Sequence, residues 1–302
     1  MKLQKSFLKW VGGKTQLIHR IIEHYPNEIQ NYHEPFLGGG STLFALLTLQ
    51  KEGKIKIHGN IYAYDINKVL IDVYIDVQKN KDTLFTYIQD YIREYNNISG
   101  NEVNRNPETL EDGKTSKESY YYWIRNKYNT IKDHSVERSA LFLFLNKTCF
   151  RGMYREGPRG FNVPYGHYKK TPTIITKSEL DTISELLQKV HFKCSDFKDS
   201  LCLPQKGDFV YLDPPYAPQN KTSFVSYVAD GFDKHELLFQ ELKRLHENEI
   251  LFLMSNAKVE LVMKKCSEFE CEDVLARRAI HAKNPGTKTT EVLIYNVLKY
   301  TQ

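Results

Sequence analysis

Four consecutive apolar residues, Phe209-Val210-Tyr211-Leu212, run without a break into Asp213-Pro214-Pro215-Tyr216. An unbroken apolar run of this length reads as a strand buried on both faces, the pattern of a sheet covered by helices rather than of a half-solvated hairpin. The two prolines then lock φ and remove two N–H donors, so strand pairing stops there and a stiff turn follows. That turn offers a carboxylate, carbonyls without competing donors and an aromatic ring.

The rest of the chain supplies neighbours for such a strand. Leu17, Ile18, Ile21, Ile22 and Tyr25 recur at helical spacing and Pro26 ends the run. A short extended piece, Tyr32 to Glu34, meets Pro35-Phe36-Leu37-Gly38-Gly39-Gly40, and Ser41 is placed to cap a helix through Leu43, Phe44 and Leu47 that stops near Gly53. Ile61 to Tyr64 predicts a second strand with Asp65 at its carboxyl end. Asp233 followed by Glu236 predicts a capping box opening a helix through Leu237, Leu238, Leu242 and Leu245. Ile250 to Met254 and Glu291 to Tyr300 predict further strands. Alternating strands and helices imply a mostly parallel sheet with helices on both faces.

The middle of the chain differs. Asn67 to Leu145 is mainly helical in pattern, broken by the polar stretch Asn96 to Glu118, which reads as an exposed loop because few apolar side chains offset its ordering entropy. A basic, aromatic and glycine-rich segment, 146 to 170, predicts a β-hairpin. A length of 302 residues accommodates a core plus one such insertion. No internal repeat is present.

Composition narrows the setting. The longest apolar runs, Leu141 to Leu145 and Ile250 to Met254, are far short of a membrane span, and Lys2, Lys5 and Lys9 stand where a leader would need an apolar core. The expectation is a cytoplasmic protein that is not secreted. Five cysteines without a C-x-x-C pair argue against a disulfide framework or a zinc site and suggest thiols that only pack. The net charge of +5 is modest, but it is concentrated: 1 to 20, 147 to 170 and 276 to 290 are basic stretches with almost no acid, which would neutralise phosphates if they faced one way.

Ligands of open α/β sheets bind beyond the carboxyl ends of strands, where Asp65 and Asp213 stand. At the Asp213 turn, a planar amine would be held by both N–H groups, one to the carboxylate and one to the Pro214 carbonyl. Adenine N6 is a poor nucleophile because its lone pair is delocalised. Accepting both hydrogens favours a more tetrahedral nitrogen, and preorganised acceptors stabilise the positive charge that develops. Tyr216 would stack on the base, which must first leave the duplex. Cytosine N4, adenine in RNA, a DNA-binding protein without catalysis, and a stiffened loop with a structural aspartate stay open on these residues alone. Two other motifs carry less. Gly12-Gly13-Lys14-Thr15 lacks the glycine that a Walker A loop requires at Leu8, and Gly38-Gly39-Gly40 is not G-x-G-x-x-G.

Taken in order, these segments resemble the DNA adenine methyltransferase (Dam) family, the D12 class of N6-adenine methylases, over essentially the whole chain. Phe7 to Lys14 is similar to its N-terminal cofactor motif, Glu34 to Gly40 to its methionine-binding loop, Asp65-Ile66-Asn67 to its ribose-binding acid, Ser195-Asp196-Phe197 to the segment lining the cofactor adenine, and Ser255-Asn256 to a later strand end. The resemblance implies a Rossmann-like methyltransferase fold, a mixed seven-stranded sheet with helices on both faces, in residues 1–66 and 167–302. Residues 67–166 would form a mainly helical target-recognition domain bearing the hairpin. It implies S-adenosylmethionine as methyl donor, bound by Trp10, Lys14, Glu34, Pro35, Phe36, Gly38, Gly40, Asp65, Asp196, Phe197 and Asp213, with Asp213, Pro214 and Tyr216 as the catalytic set. Double-stranded DNA would be contacted by Lys9, Phe150, Arg151, Met153, Arg155 and Pro164, with Arg155 and Lys9 reading guanines and Phe150 filling the gap left by the extruded base. Arg151 and Met153 depart from the asparagine and leucine of the best-known members, which bears on the target, GATC or a related short site. The segment Ala217 to Gly231, with Phe224 and Tyr227, is expected to close over the base. Phe161 and Tyr165 are expected to be core. No membrane and no metal are implied, and the chain is expected to be a monomer or weak dimer.

Overall fold

The structure, a computed structural model, describes residues 2–217, 233–277 and 288–298. In chain order its elements are α1 (Ile18–Glu23), β1 (Glu28–Ile29), β2 (Tyr32–Glu34), α2 (Ser41–Lys51), β3 (Lys56–Ile57) and β4 (Ile61–Asp65). Then follow α3 (Lys68–Lys79), α4 (Lys81–Asn97), α5 (Leu110–Gly113), α6 (Lys117–Thr130), α7 (Val136–Thr148), β5 (Glu156–Gly157), β6 (Gly160–Phe161) and α8 (Lys177–Leu187). The remainder comprises β7 (Val190–Cys194), α9 (Phe197–Leu201), β8 (Phe209–Leu212), α10 (His235–Glu247), β9 (Leu251–Ala257), α11 (Glu260–Lys265), β10 (Glu270–Arg277) and β11 (Lys288–Tyr295). The expected closing segment past Ala217, the side chains of the third basic stretch (Arg277, Arg278, Lys283, Lys288) and the end of the last predicted strand at Tyr300 lie outside the described residues.

Contacts divide the chain into two compact units, Met1–Lys5 with Lys14–Ile66 and Lys189–Gln302, and Ser6–Gly13 with Asn67–Gln188. The first holds a seven-stranded sheet in the order β10-β11-β9-β8-β2-β4-β7. Strands β9, β8, β2, β4 and β7 pair in parallel, and β11 runs antiparallel between β9 and β10. This is the mixed Rossmann-like sheet expected from the sequence. The strand order reverses beside β2, with β4 on one side and β8 on the other, which opens a crevice at their carboxyl ends.

The central position of β8 follows from its side chains: Phe209, Val210, Tyr211 and Leu212 are all buried, with strands on both edges. On one face α10 lays down Leu238, Phe239, Leu242 and Leu245, spaced as one helical stripe, against Val210, Leu212, Phe252 and Met254. Two predicted caps are not made. Helix α2 is entered through Gly40, which is left-handed at φ 68°, so Ser41 is already helical and cannot cap. Helix α10 begins at His235 after Lys234, which puts Glu236 one position too early to close a box back to its entry residue.

The second unit is helical around α7, whose residues Ser139 to Asn146 are all buried. Helices α3, α4 and α6 pack on it, and α8 packs on α3 and α4, so residues 167–188 and 6–13 group with this unit. Its core is rich in tyrosine, and two of the buried phenols find acceptors: Tyr121 donates to the Val163 carbonyl at 2.7 Å and Tyr120 to Glu94 at 2.6 Å. The polar stretch 96–118 is more ordered than its composition suggested. Thr109 and Asp112 form a reciprocal cap on α5, and Ser116 and Glu118 are buried, so hydrogen bonds to backbone replace apolar burial as the ordering force. Cys149 and Cys266 are buried, and burial pushes both thiols up to about 12. Cys194, Cys202 and Cys271 are exposed, so packing accounts for only two of the five. Among the described residues no helix is long and apolar enough to cross a membrane.

Leu242 is fully buried between α10 and the sheet. Leu242→Ala should lower the unfolding free energy by about 2–5 kcal/mol, the range for a leucine removed from a packed core. A urea titration showing a loss well under 1 kcal/mol would mean that this face is not packed as described.

Candidate active site

Because β2, β4, β7, β8 and β9 are parallel, their carboxyl ends share one edge of the sheet. Glu34 ends β2, Asp65 ends β4, Asp196 follows β7, Asp213 follows β8 and Asn256 is next to last in β9. Four acids gather at this edge, and Glu34 feels the charges of Asp65 and Asp213.

Glu34 is 1% exposed; the Tyr32 hydroxyl donates to it at 2.8 Å and the Thr42 hydroxyl to its other oxygen. Burial, reinforced by the nearby charges of Asp213 and Asp65, pushes its carboxyl up to about 8 against the pull of those two hydroxyls. It therefore carries a proton at neutral pH. Asp65 accepts the Gly38 N–H at 2.9 Å, with Gly38 in the left-handed region at φ 49°. The glycine loop is thus drawn against the strand end. Phe36 and Phe197 stack at 5.3 Å beside it, and Ile66 leaves 69% of its surface exposed. Asp196 is otherwise engaged: it caps α9 through the Lys198 N–H and receives the Lys234 ammonium at 2.6 Å.

Asp213 is ion-paired with Lys14, Nζ to Oδ1 at 2.7 Å, with side-chain exposures of 19% and 7%. Burial pushes the Asp213 carboxyl up to about 6, Lys14 pulls it down, and Glu291 pushes it up. An exposed pair contributes on the order of 0–1 kcal/mol, whereas stranding one partner of a pair this deep costs roughly 3–5 kcal/mol, so this contact constrains the site. The same ammonium lies 4.9 Å from the Tyr216 ring centroid. The Tyr216 hydroxyl donates to Glu291 at 2.6 Å, and the Ala217 N–H donates to Asn256 Oδ1 at 3.2 Å. Pro214 is buried and Pro215 exposed.

The other expected site residues lie in the second unit. Trp10 stacks on Tyr154 at 5.6 Å. Lys9 is bracketed by Asn146, which takes its N–H at 2.9 Å and donates to its carbonyl at 2.7 Å, and its ammonium donates to the Lys147 carbonyl and the Tyr168 hydroxyl. That ammonium is engaged rather than presented. Phe150 is 42% exposed, under the Arg151 guanidinium at 5.1 Å, and its N–H donates to the carbonyl of exposed Pro164 at 2.8 Å. Arg151 is left-handed at φ 55° and Met153 is half-buried. Arg155 spans the β5–β6 hairpin, donating from Nε to Asn162 Oδ1 at 2.6 Å. Asn129 holds Phe161 through both its N–H and its carbonyl, and Phe161 and Tyr165 are core, as expected.

Sequence reasoning missed Glu291 and the roles of Ile66 and Asn256. The strand-end rule that singled out Asp65 and Asp213 would have found Asn256, and Ile66 as the apolar neighbour of Asp65. Nothing local marks Glu291, whose partner is 75 residues away.

Residues 10–280 match a family model described as D12 class N6 adenine-specific DNA methyltransferase. The chain is 36% identical to Type II methyltransferase M.MjaIII of Methanocaldococcus jannaschii, covering 97% of this chain and 99% of the relative. It is 32% identical to Type II methyltransferase M1.LlaDCHI of Lactococcus lactis subsp. cremoris (97% and 95%). It is 30% identical to a DNA adenine methylase of Serratia marcescens (97% and 98%).

The raised carboxyl of Glu34 ties stability to pH. Its contribution is full below the ordinary value of 4.5 and is lost as pH rises through about 8. Glu34→Gln, neutral throughout, should flatten the fall in urea midpoint between about pH 5 and pH 8. Parallel profiles for the two proteins would place the slope elsewhere.

Proposed function

The chain belongs to the D12 class of N6 adenine-specific DNA methyltransferases, and we propose that it moves the methyl group of S-adenosylmethionine to N6 of an adenine turned out of double-stranded DNA, within GATC or a related short site. The observation that carries the site assignment is the donor-free turn at the switch point, with Asp213 partly open beside Lys14 and Tyr216.

The residues at the sheet edge fit the donor. Asp65 offers acceptors for a ribose diol, the glycine loop admits close approach at Gly38 and Gly40, and Ile66 and Phe36 offer apolar surface to a purine. Glu34, with its proton on, removes one negative charge from a place that receives a carboxylate. When bound, S-adenosylmethionine supplies a methyl group already made electrophilic by its sulfonium.

Lys14 takes one oxygen of Asp213 and leaves the other for the adenine amine. The Pro214 carbonyl accepts the second N–H, and with no N–H at 214 or 215 the turn has no donor to compete for it. Tyr216 stacks on the base. As the N–C bond formed and the methyl–sulfur bond broke, leaving the donor as a neutral thioether, N6 would become cationic and shed a proton toward Asp213, whose carboxyl at about 6 receives it more readily than an ordinary aspartate would. Lys14 limits that rise, so the group is still ionised when the base arrives. In the hairpin, Asn162 holds Arg155 by Nε and Nη2 and leaves the remaining guanidinium donors for a guanine. Phe150 is the apolar wedge.

Asp213→Ala should abolish methyl transfer, with the product nucleoside read after digestion, while DNA binding persists. Retained turnover would remove Asp213 from the chemistry, and N4-methylcytosine as product would overturn the base assignment. Arg155→Ala should relax discrimination at one base pair by roughly 1–3 kcal/mol. An equal loss of affinity for all sequences would make Arg155 a phosphate contact.

A further inference from the structure

The turn that carries Asp213 and Tyr216 has no N–H at two successive positions with which to anchor itself. Its anchors come from neighbouring strands. Glu291 pairs in register with Ala257, the last residue of β9, and Val292 with Asn256. Only a reversed strand can bring one of its early residues to the edge where the parallel strands finish, so the antiparallel sense of β11 is what carries Glu291 to the turn. There its Oε2 receives the Tyr216 hydroxyl at 2.6 Å, within the short range of a hydrogen bond to an ionised acceptor. One residue on, Asn256 Oδ1 receives both the Ala217 N–H at 3.2 Å and the Ala257 N–H at 2.8 Å, tying the turn to the end of β9. Asn256 is fully buried, yet its Nδ2 has no hydrogen-bond partner among the described residues. A buried donor left unsatisfied is destabilising, so stability alone does not account for an amide here.

We propose that Glu291 and Asn256 are positioning residues that hold Tyr216 at two points, phenol and following backbone, so that its ring is set for the extruded adenine before the base arrives. This rests on the reading of Tyr216 as the stacking ring. A phenyl ring turns about two bonds; a tether at the far end of the ring and another at the backbone leave it one orientation. Lys14, 4.9 Å from the ring centroid, adds a contact that favours the same orientation. Glu291 touches no reacting atom in this scheme; it holds the ring through the phenol, besides pushing the Asp213 carboxyl up through its charge.

The full-length enzyme is assayed for single-turnover methyl transfer and for the fluorescence of 2-aminopurine at the target position. Glu291→Ala and Tyr216→Phe each remove the tether, and each should slow transfer by about ten- to a hundredfold, the range for losing a hydrogen bond to a charged group. The double variant should be no slower than either, and Glu291→Gln, which keeps an acceptor, should recover most of the rate. Asn256→Ala should weaken the fluorescence response with DNA affinity retained. A Glu291→Ala defect that persists undiminished in the Tyr216→Phe background, or a Tyr216→Phe enzyme of full rate, overturns the tether; the second result stands even if Glu291→Ala does not fold. An unchanged response in Asn256→Ala overturns the second point of hold. Tyr216→Ala separates the two readings: an intact response there sinks the stacking role itself, whereas a lost response with normal Glu291→Ala and Tyr216→Phe enzymes sinks only the tether.

Discussion

Like charges gathered at one edge of a parallel sheet set the terms for everything else in this molecule. Parallel strands finish together, so any acid that each strand needs at its end is brought among the others. The chain answers with one proton on Glu34, one backbone N–H for Asp65 and one ammonium for Asp213. Lys14 therefore has a structural task at this edge. It keeps a carboxylate ionised in a place where burial alone would neutralise it. Because it also borders Tyr216, a single cation links the charge state of the acid with the placement of the ring.

Much of the first unit was legible in the chain. Strand β8 coincides with its apolar run, β4 ends at the acid predicted to end it, and α2 and α10 follow their apolar stripes. These are local signals, in which a strand or helix buries the face that its own residues prescribe. The caps were misread where backbone conformation overruled side-chain type: a left-handed Gly40 displaced Ser41, and a shifted start moved Glu236 out of register. The Tyr216–Glu291 contact was invisible because nothing in the neighbourhood of Glu291 marks it. It exists only once β11 is laid beside β9.

The second unit shows a different economy. Its segment 146–170 is short of regular pairing, with only β5 and β6 as strands, and side-chain amides do what a neighbouring strand would otherwise do. Asn146 binds both polar groups of the Lys9 backbone and Asn129 both of Phe161. Tyr121 adds a third grip at Val163. Backbone groups inside a protein need partners, and supplying them from rigid helices gives an irregular segment a defined shape without making it a sheet. The side chains that such a segment turns outward, Phe150 and Arg155 among them, are then free to differ without disturbing the helices that hold it.

Strands β4 and β7 are adjacent in the sheet, yet the chain between them contains nearly all of the helical unit. That unit occupies the place of a single crossover connection. Lengthening such a connection raises its closure entropy only logarithmically, and strand order is indifferent to what the detour contains. Descendants of a chain built this way have one address at which a whole helical unit can be exchanged, enlarged or trimmed while the sheet is inherited intact.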